Sequence, residues 1–216
     1  MSDLLVRLVR ATTVPADADA LLSRVAAALV ADADLVLADR LDEPDLVTRV
    51  AAMTADGPLE LPSELGRPDA RRSSAGSVGI LPTVLASPGR LLRFRTADLE
   101  RVVREGDGHA ARQASALLVG GIADVVVVAL VAREIPIGVI TLGSFGSLSD
   151  ELLDELPEVA HHVATALDAA RLVTLQNAVA NTMQQSLLPP LPAVPGLALA
   201  ARYAPAARGL AGGGDR

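Results

Sequence analysis

Asp215 closes the glycine-rich stretch "GLAGGGDR" (209–216), where small residues let the backbone turn tightly and a carboxylate can ligate a hard cation. Mg²⁺ or Mn²⁺ takes about six oxygen ligands. This stretch supplies one carboxylate beside the repelling charge of Arg216, so it makes a vestige of a metal site and not a working one. It is no P-loop either, because no Gly-Lys-Ser/Thr follows the glycines. His109, in the loop "EGDGHAARQ" (105–113), is the candidate for contact with a bound ligand. His161 and His162 are neighbours, so on a helix they point about 100° apart and cannot share a metal as an i, i+4 pair does. They take a structural reading. Asp150, Glu151, Asp154, Glu155 and Glu158 fall on the first turns of one helix, where the helix dipole favours solvated acids. With no Cys in the chain, disulfides, thiolate metal sites and cysteine nucleophiles are excluded.

Composition narrows the partners. Half of the 216 residues are hydrophobic, enough for a buried core, but only 1% are aromatic. The core must therefore be Ala, Val and Leu, and stacking platforms for bases are nearly absent. A net charge of −7 argues against nucleic acid and against an anionic membrane surface, both of which call for clustered positive charge. The N-terminus "MSDLLVRLVRATTV" carries Asp3, Arg7 and Arg10 where a secretory signal is apolar, so a cytoplasmic protein is expected. "IADVVVVALVAREIPIGVITL" (122–142) is interrupted by Arg133, Glu134 and Pro136, which makes it two buried strands joined by a tight turn, not a membrane span.

The positioning elements follow from periodicity and punctuation. Leu21, Leu22, Val25, Ala28 and Leu29 recur at helical spacing within 17–31, behind the acids Asp17 and Asp19. Strands are expected at 34–41 and 45–53, separated by turn residues, then a loop from Asp56 to Ser77 and a short helical piece at 78–87. A strand at 89–94 precedes a helix at 96–106 with Thr96 as N-cap and Gly106 at its end. Further strands are expected at 115–119, 124–132 and 136–143, and Ser149 caps a long C-terminal helix. Pro157 on that helix predicts a kink or a delayed start.

That order, with "SALLVGGIADVVVVALVAREIPIGVITLGS" (115–144) followed by "LSDELLDELPEVAHHVATALDAARL" (148–172), resembles the GAF domain over about residues 15–175. The resemblance implies an α+β fold, an antiparallel sheet flanked by helices, with a small-molecule pocket between the sheet and its covering loops. It leaves the ligand unnamed. Thioether-linked bilins and the methionine-sulfoxide-reducing branch both require a Cys that this chain lacks.

The long helix carries a second pattern. Leu152, Leu156, Val159, Val163, Ala166, Ala170, Val173, Asn177, Ala180, Gln184 and Leu187 alternate by four and three, the spacing of a coiled coil. Up to Ala170 the helix is expected to pack on its own sheet. Beyond it, Val173, Asn177, Ala180, Gln184 and Leu187 are expected to pair with a second copy, the polar positions setting register.

"QQSLLPPLPAVPGLALAARYAPAARGLAGGGD" (184–215) resembles the junction into SpoIIE-like phosphatases, metal-dependent type 2C protein serine/threonine phosphatases. Matching residues are Gln184 or Gln185, Ser186, Leu187, Leu188, Pro189, Leu191, Pro192, Gly196, Arg202, Tyr203, Pro205, Ala206, Gly213, Gly214 and Asp215. The resemblance implies manganese or magnesium for a phosphatase domain that follows, none being held by this chain. The expected organisation is an N-terminal extension (1–14), a GAF-like sensor (15–170), a linker coiled-coil helix (171–188) and the start of a phosphatase domain (189–216). The function implied is sensing and dimerisation that regulates such a phosphatase. The alternative is a fragment of an active phosphatase.

Overall fold

The computed structural model describes residues 3–13, 17–43, 46–59 and 78–186. The chain divides into two units, Met1–Leu175 and Gln176–Arg216. In the first unit the helices α1 (Asp3–Thr12) and α2 (Ala18–Leu29) precede the strands β1 (Leu35–Glu43), β2 (Leu46–Thr54) and β3 (Gly57–Pro58). Next come α3 (Ile80–Leu85), β4 (Leu91–Arg95), α4 (Thr96–Glu105), α5 (Gly108–Val119), β5 (Asp124–Ala132) and β6 (Ile135–Ser144). The last helix, α6 (Asp150–Ser186), enters the second unit.

The fold is α+β. All strands pair antiparallel in one six-stranded sheet of order β3-β2-β1-β6-β5-β4. Both faces of that sheet are covered, which is why β5 reads as an unbroken apolar run rather than an alternation. Val126, Val128 and Leu130 join the core formed with α1, α2 and α6, while Val125 and Val127 join a second core under α3, α4 and α5.

Residues 1–14 are expected as an extension, yet α1 buries Leu4 and Leu8 in the same core as Leu22 and Leu156. His162 on α6 shares a 2.8 Å hydrogen bond with Thr12 on α1, and Arg7 pairs with Asp32. The strand expected at 115–119 is the C-terminal part of α5. Asp107 caps that helix, accepting from the N–H groups of His109 and Ala110, so the chain enters it from 108 onward. Thr96 is not an N-cap. Arg95 holds that position, its N–H donating to Asp98, and the Thr96 hydroxyl bonds instead to the carbonyl of Ala123. α6 begins at Asp150 without delay, with Ser149 accepting from the N–H of Leu152 and Pro157 inside the helix.

β5 and β6 form the expected hairpin. Its two-residue turn puts Arg133 at φ 50 and Glu134 at φ 67, the left-handed conformation that the right-handed strand twist selects in short hairpins. A residue with a Cβ is strained there by roughly 1–2 kcal/mol, partly offset by the chain entropy glycine loses on folding. Glu134→Gly, which keeps the ion pair from Arg133 to Asp168, is therefore expected to stabilise the domain by about 0.5–1 kcal/mol. Urea denaturation showing no gain, or a loss, would contradict this account of the turn.

Candidate functional site

The sheet face under α3–α5 is mainly apolar. Leu35, Leu37 and Leu41 of β1, Val47 and Ala52 of β2 and Val139 of β6 point into it. Asp39 shares the phase of Leu37 and Leu41 and pairs in register with Val139, so it enters the same face and is only 4% exposed. A register shift between Ala38 and Asp39 brings Arg49 opposite Asp39. The guanidinium then meets the carboxylate twice, Nε to Oδ1 at 2.8 Å and a terminal nitrogen to Oδ2 at 3.1 Å. Their side chains are 7% and 5% exposed. Thr141 of β6, paired with Leu37, adds a further buried polar residue on this face.

A buried ion pair is expensive to desolvate and is often no more stable than well-packed apolar residues of the same volume. Two opposite charges in a mainly apolar wall therefore point toward selection for something other than stability. They set a paired donor and acceptor among apolar side chains. The sequence reading missed them. The signal was present: a charge standing in the apolar phase of "LVLADRL", and another in the phase of Val47 in "LVTRV".

Two further carboxylates tie the sheet to the approach of α6. Asp124 accepts from Arg93 at 2.8 and 2.6 Å and from the N–H of Leu148 at 2.9 Å. Asp34 accepts from the Ser144 hydroxyl and the Phe145 N–H. The 145–149 turn is thereby fastened at both ends before α6 begins.

The expected site residues are scattered. His109 sits on the first turn of α5 rather than in a loop, half-buried, next to Ala110, which packs on Val78. His161 is exposed and His162 faces α1. Val173 is 52% exposed, and Asn177 and Ala180 are exposed. The Gln184 side chain, Leu187 and Asp215 lie outside the described residues, as do 189–216 altogether. Among the described residues no group of three or more His, Cys, Asp and Glu is placed to hold a metal, and no helix is long and apolar enough to cross a membrane.

No family model matches the chain, and no curated protein sequence does. Solved structures do match it. One is the phycoerythrobilin-bound GAF domain from a cyanobacterial phytochrome, at 14% identity over 78% of this chain and 94% of that one, TM-score 0.55. Another is the GAF domain from Acinetobacter phosphoenolpyruvate-protein phosphotransferase, at 14% identity over 80% and 98%, TM-score 0.58. A third, the phycocyanobilin-bound GAF domain from a cyanobacterial phytochrome, matches at 12% identity over 80% and 97%, TM-score 0.54. The fold is that of a GAF domain.

Proposed function

We propose that this GAF fold serves as a signal-sensing module, binding a polar small molecule against the α3–α5 face of its sheet and passing the bound state along α6. The observation that carries this reading is the buried Asp39–Arg49 pair in a mainly apolar wall. Two of the similar structures hold bilins. A thioether-linked bilin is excluded here by the lack of Cys. The module acts in the cytoplasm as a homodimer, and its output is a SpoIIE-like phosphatase domain. Support for that output is the stretch "QQSLLPPLP…RYAP…GGD", with Pro189 and Pro192 at the positions the resemblance calls for. The 216-residue chain itself is catalytically silent, because Asp215 supplies one carboxylate where a manganese or magnesium site needs several on rigid strands.

Native mass spectrometry of protein purified from its own host is expected to show a small molecule retained by the wild type and lost in Arg49→Met. A bare polypeptide mass from every growth condition, with no change of melting across a metabolite panel, would remove the ligand from this reading. The same protein is expected to leave p-nitrophenyl phosphate and a phosphoserine peptide intact in millimolar manganese, and Asp215→Ala to change nothing. Manganese-dependent turnover that disappears in Asp215→Ala would overturn the silence. Translating the DNA beyond codon 216 in three frames tests the output domain, which requires further spaced Asp residues after Gly-Gly-Asp.

A further inference from the structure

We infer that the free edge of β4 is a docking site for an extended acidic segment of another protein, which adds to the sheet as a further strand. The two ends of the sheet differ. β3, at one end, is two residues long and holds Pro58, which has no N–H to offer, so that edge gives a partner strand little to bond. β4, at the other end, runs five residues, Leu91–Arg95, without a proline, and pairs with a neighbouring strand on one side alone. Arg95 gives its N–H to the Asp98 carboxylate at 3.1 Å, which places that group outside the β4–β5 ladder. Antiparallel ladders use alternate residues, so Arg93 and Leu91 also turn their N–H and C=O groups away from β5. Among the described residues these outward groups have no partner.

Charge selects the partner. Residues 78–97 carry Arg90, Arg93 and Arg95 and no Asp or Glu, in a chain of net charge −7. Asp124 offsets Arg93, and Asp98 offsets Arg101 at 3.4 Å. Arg90 and Arg95 remain, both exposed and in no ion pair among the described residues. A second copy of β4 is disfavoured by the same side chains, because a two-fold axis at the middle of the strand sets Arg93 against Arg93. A strand that carries acids meets no such repulsion.

Geometry then sets the spacing of those acids. Arg90 and Arg95 are five residues apart, about 16 Å along an extended chain, and an odd separation puts them on opposite faces of the sheet. A partner strand meets both with two acids at that same spacing. Between them Leu91 and Leu92 are half-buried and lean toward opposite cores, so β-branched residues suit the intervening positions. Backbone hydrogen bonds to Leu91 and Arg93 hold such a segment, and the acids select it. β5 and β6 separate this edge from the Asp39–Arg49 pair on β1 and β2, so the inference does not depend on the small-molecule reading.

The test pairs the full chain with the fluorescent peptide Ser-Glu-Val-Thr-Val-Thr-Glu-Ser at low ionic strength, read by anisotropy. Saturable binding is expected, with the amides of residues 91–93 gaining protection in hydrogen exchange. Exchanging both Glu of the peptide for Lys, or combining Arg90→Glu with Arg95→Glu in the protein, is expected to weaken binding about tenfold, as two exposed ion pairs turned to repulsion would. Should the double variant melt early, the Lys peptide carries the comparison on the wild-type protein. Of two peptides N-methylated on either the Val or the Thr nitrogens, one is expected to lose binding and the other to keep it, since only alternate residues face the edge. Equal binding by both methylated peptides would reduce the contact to charge attraction and overturn strand addition. No binding at millimolar peptide, or binding indifferent to both charge reversals, would remove the site. Protection of the same amides that rises with protein concentration alone would assign the edge to a second copy instead.

Discussion

Asp39→Ala is expected to cost about 3–5 kcal/mol of folding stability, because it strips a buried guanidinium of the carboxylate that holds it twice. At roughly 2–4 °C per kcal/mol for a domain of this size, melting should fall by about 10 °C. Asp39→Leu combined with Arg49→Met is expected to recover most or all of that loss, since Leu37, Leu41, Val47 and Val139 already make the surroundings apolar. Urea denaturation of the two single variants and the double variant measures the coupling directly. The double variant also separates stability from function: it should fold well and yet purify without the small molecule. A single variant within about 1 kcal/mol of wild type would contradict this account of the pair.

Asp124→Ala should destabilise by about 3 kcal/mol, with an effect on acid stability that a purely apolar contact does not have. Its carboxylate joins β4, β5 and the turn into α6. Burial pushes this carboxyl up, but the hydrogen bonds from Arg93 and the Leu148 N–H and the charges of Arg93 and Arg95 outweigh it and hold it below its ordinary value. Asp42 behaves alike: burial raises it, and hydrogen bonds from Arg40 and Thr48 with the charges of Arg40 and Arg171 lower it. A carboxyl lowered in the native state contributes stability that is complete well above the ordinary value of 3.8 and is lost as pH falls through the lowered native value. Wild-type melting should therefore drop steeply below about pH 4, and Asp124→Asn should have a lower plateau with a shallower acid slope. Equal slopes in the two proteins would show that Asp124 is not a source of the acid sensitivity.

Local chemistry alone determined much of this chain. The β1–β2 and β5–β6 hairpins, the α2 helix and the Ser149 cap of α6 are each specified by residues within one or two turns of each other, so periodicity and turn residues are enough. The helix that replaces a strand at 115–119 marks where that method ends. "SALLV" is apolar without a clear period, and its state was decided by the Asp107 cap upstream and by Ala114 and Leu117 finding a buried side. Residues 3–12 show the same limit from the other direction. Leu4 and Leu8 belong to what reads as an N-terminal extension until α2 and α6 stand beside them.

The candidate site belonged to tertiary structure for a physical reason. Asp39 and Arg49 are ten residues apart, and nothing in either strand states that a register shift will set them opposite each other or that a mainly apolar face will close over both. A charge in an apolar phase is a marker, but its meaning depends on its cross-strand partner and its burial, both non-local. The long helix separates the two kinds of information in the same way. Sequence spacing establishes that residues 150–186 form a helix and that its apolar residues recur every three or four positions. Which of those residues turn inward depends on where the sheet lies. With the sheet occupying the side of Leu156 and Val163, Leu172 and Leu175 are left facing water.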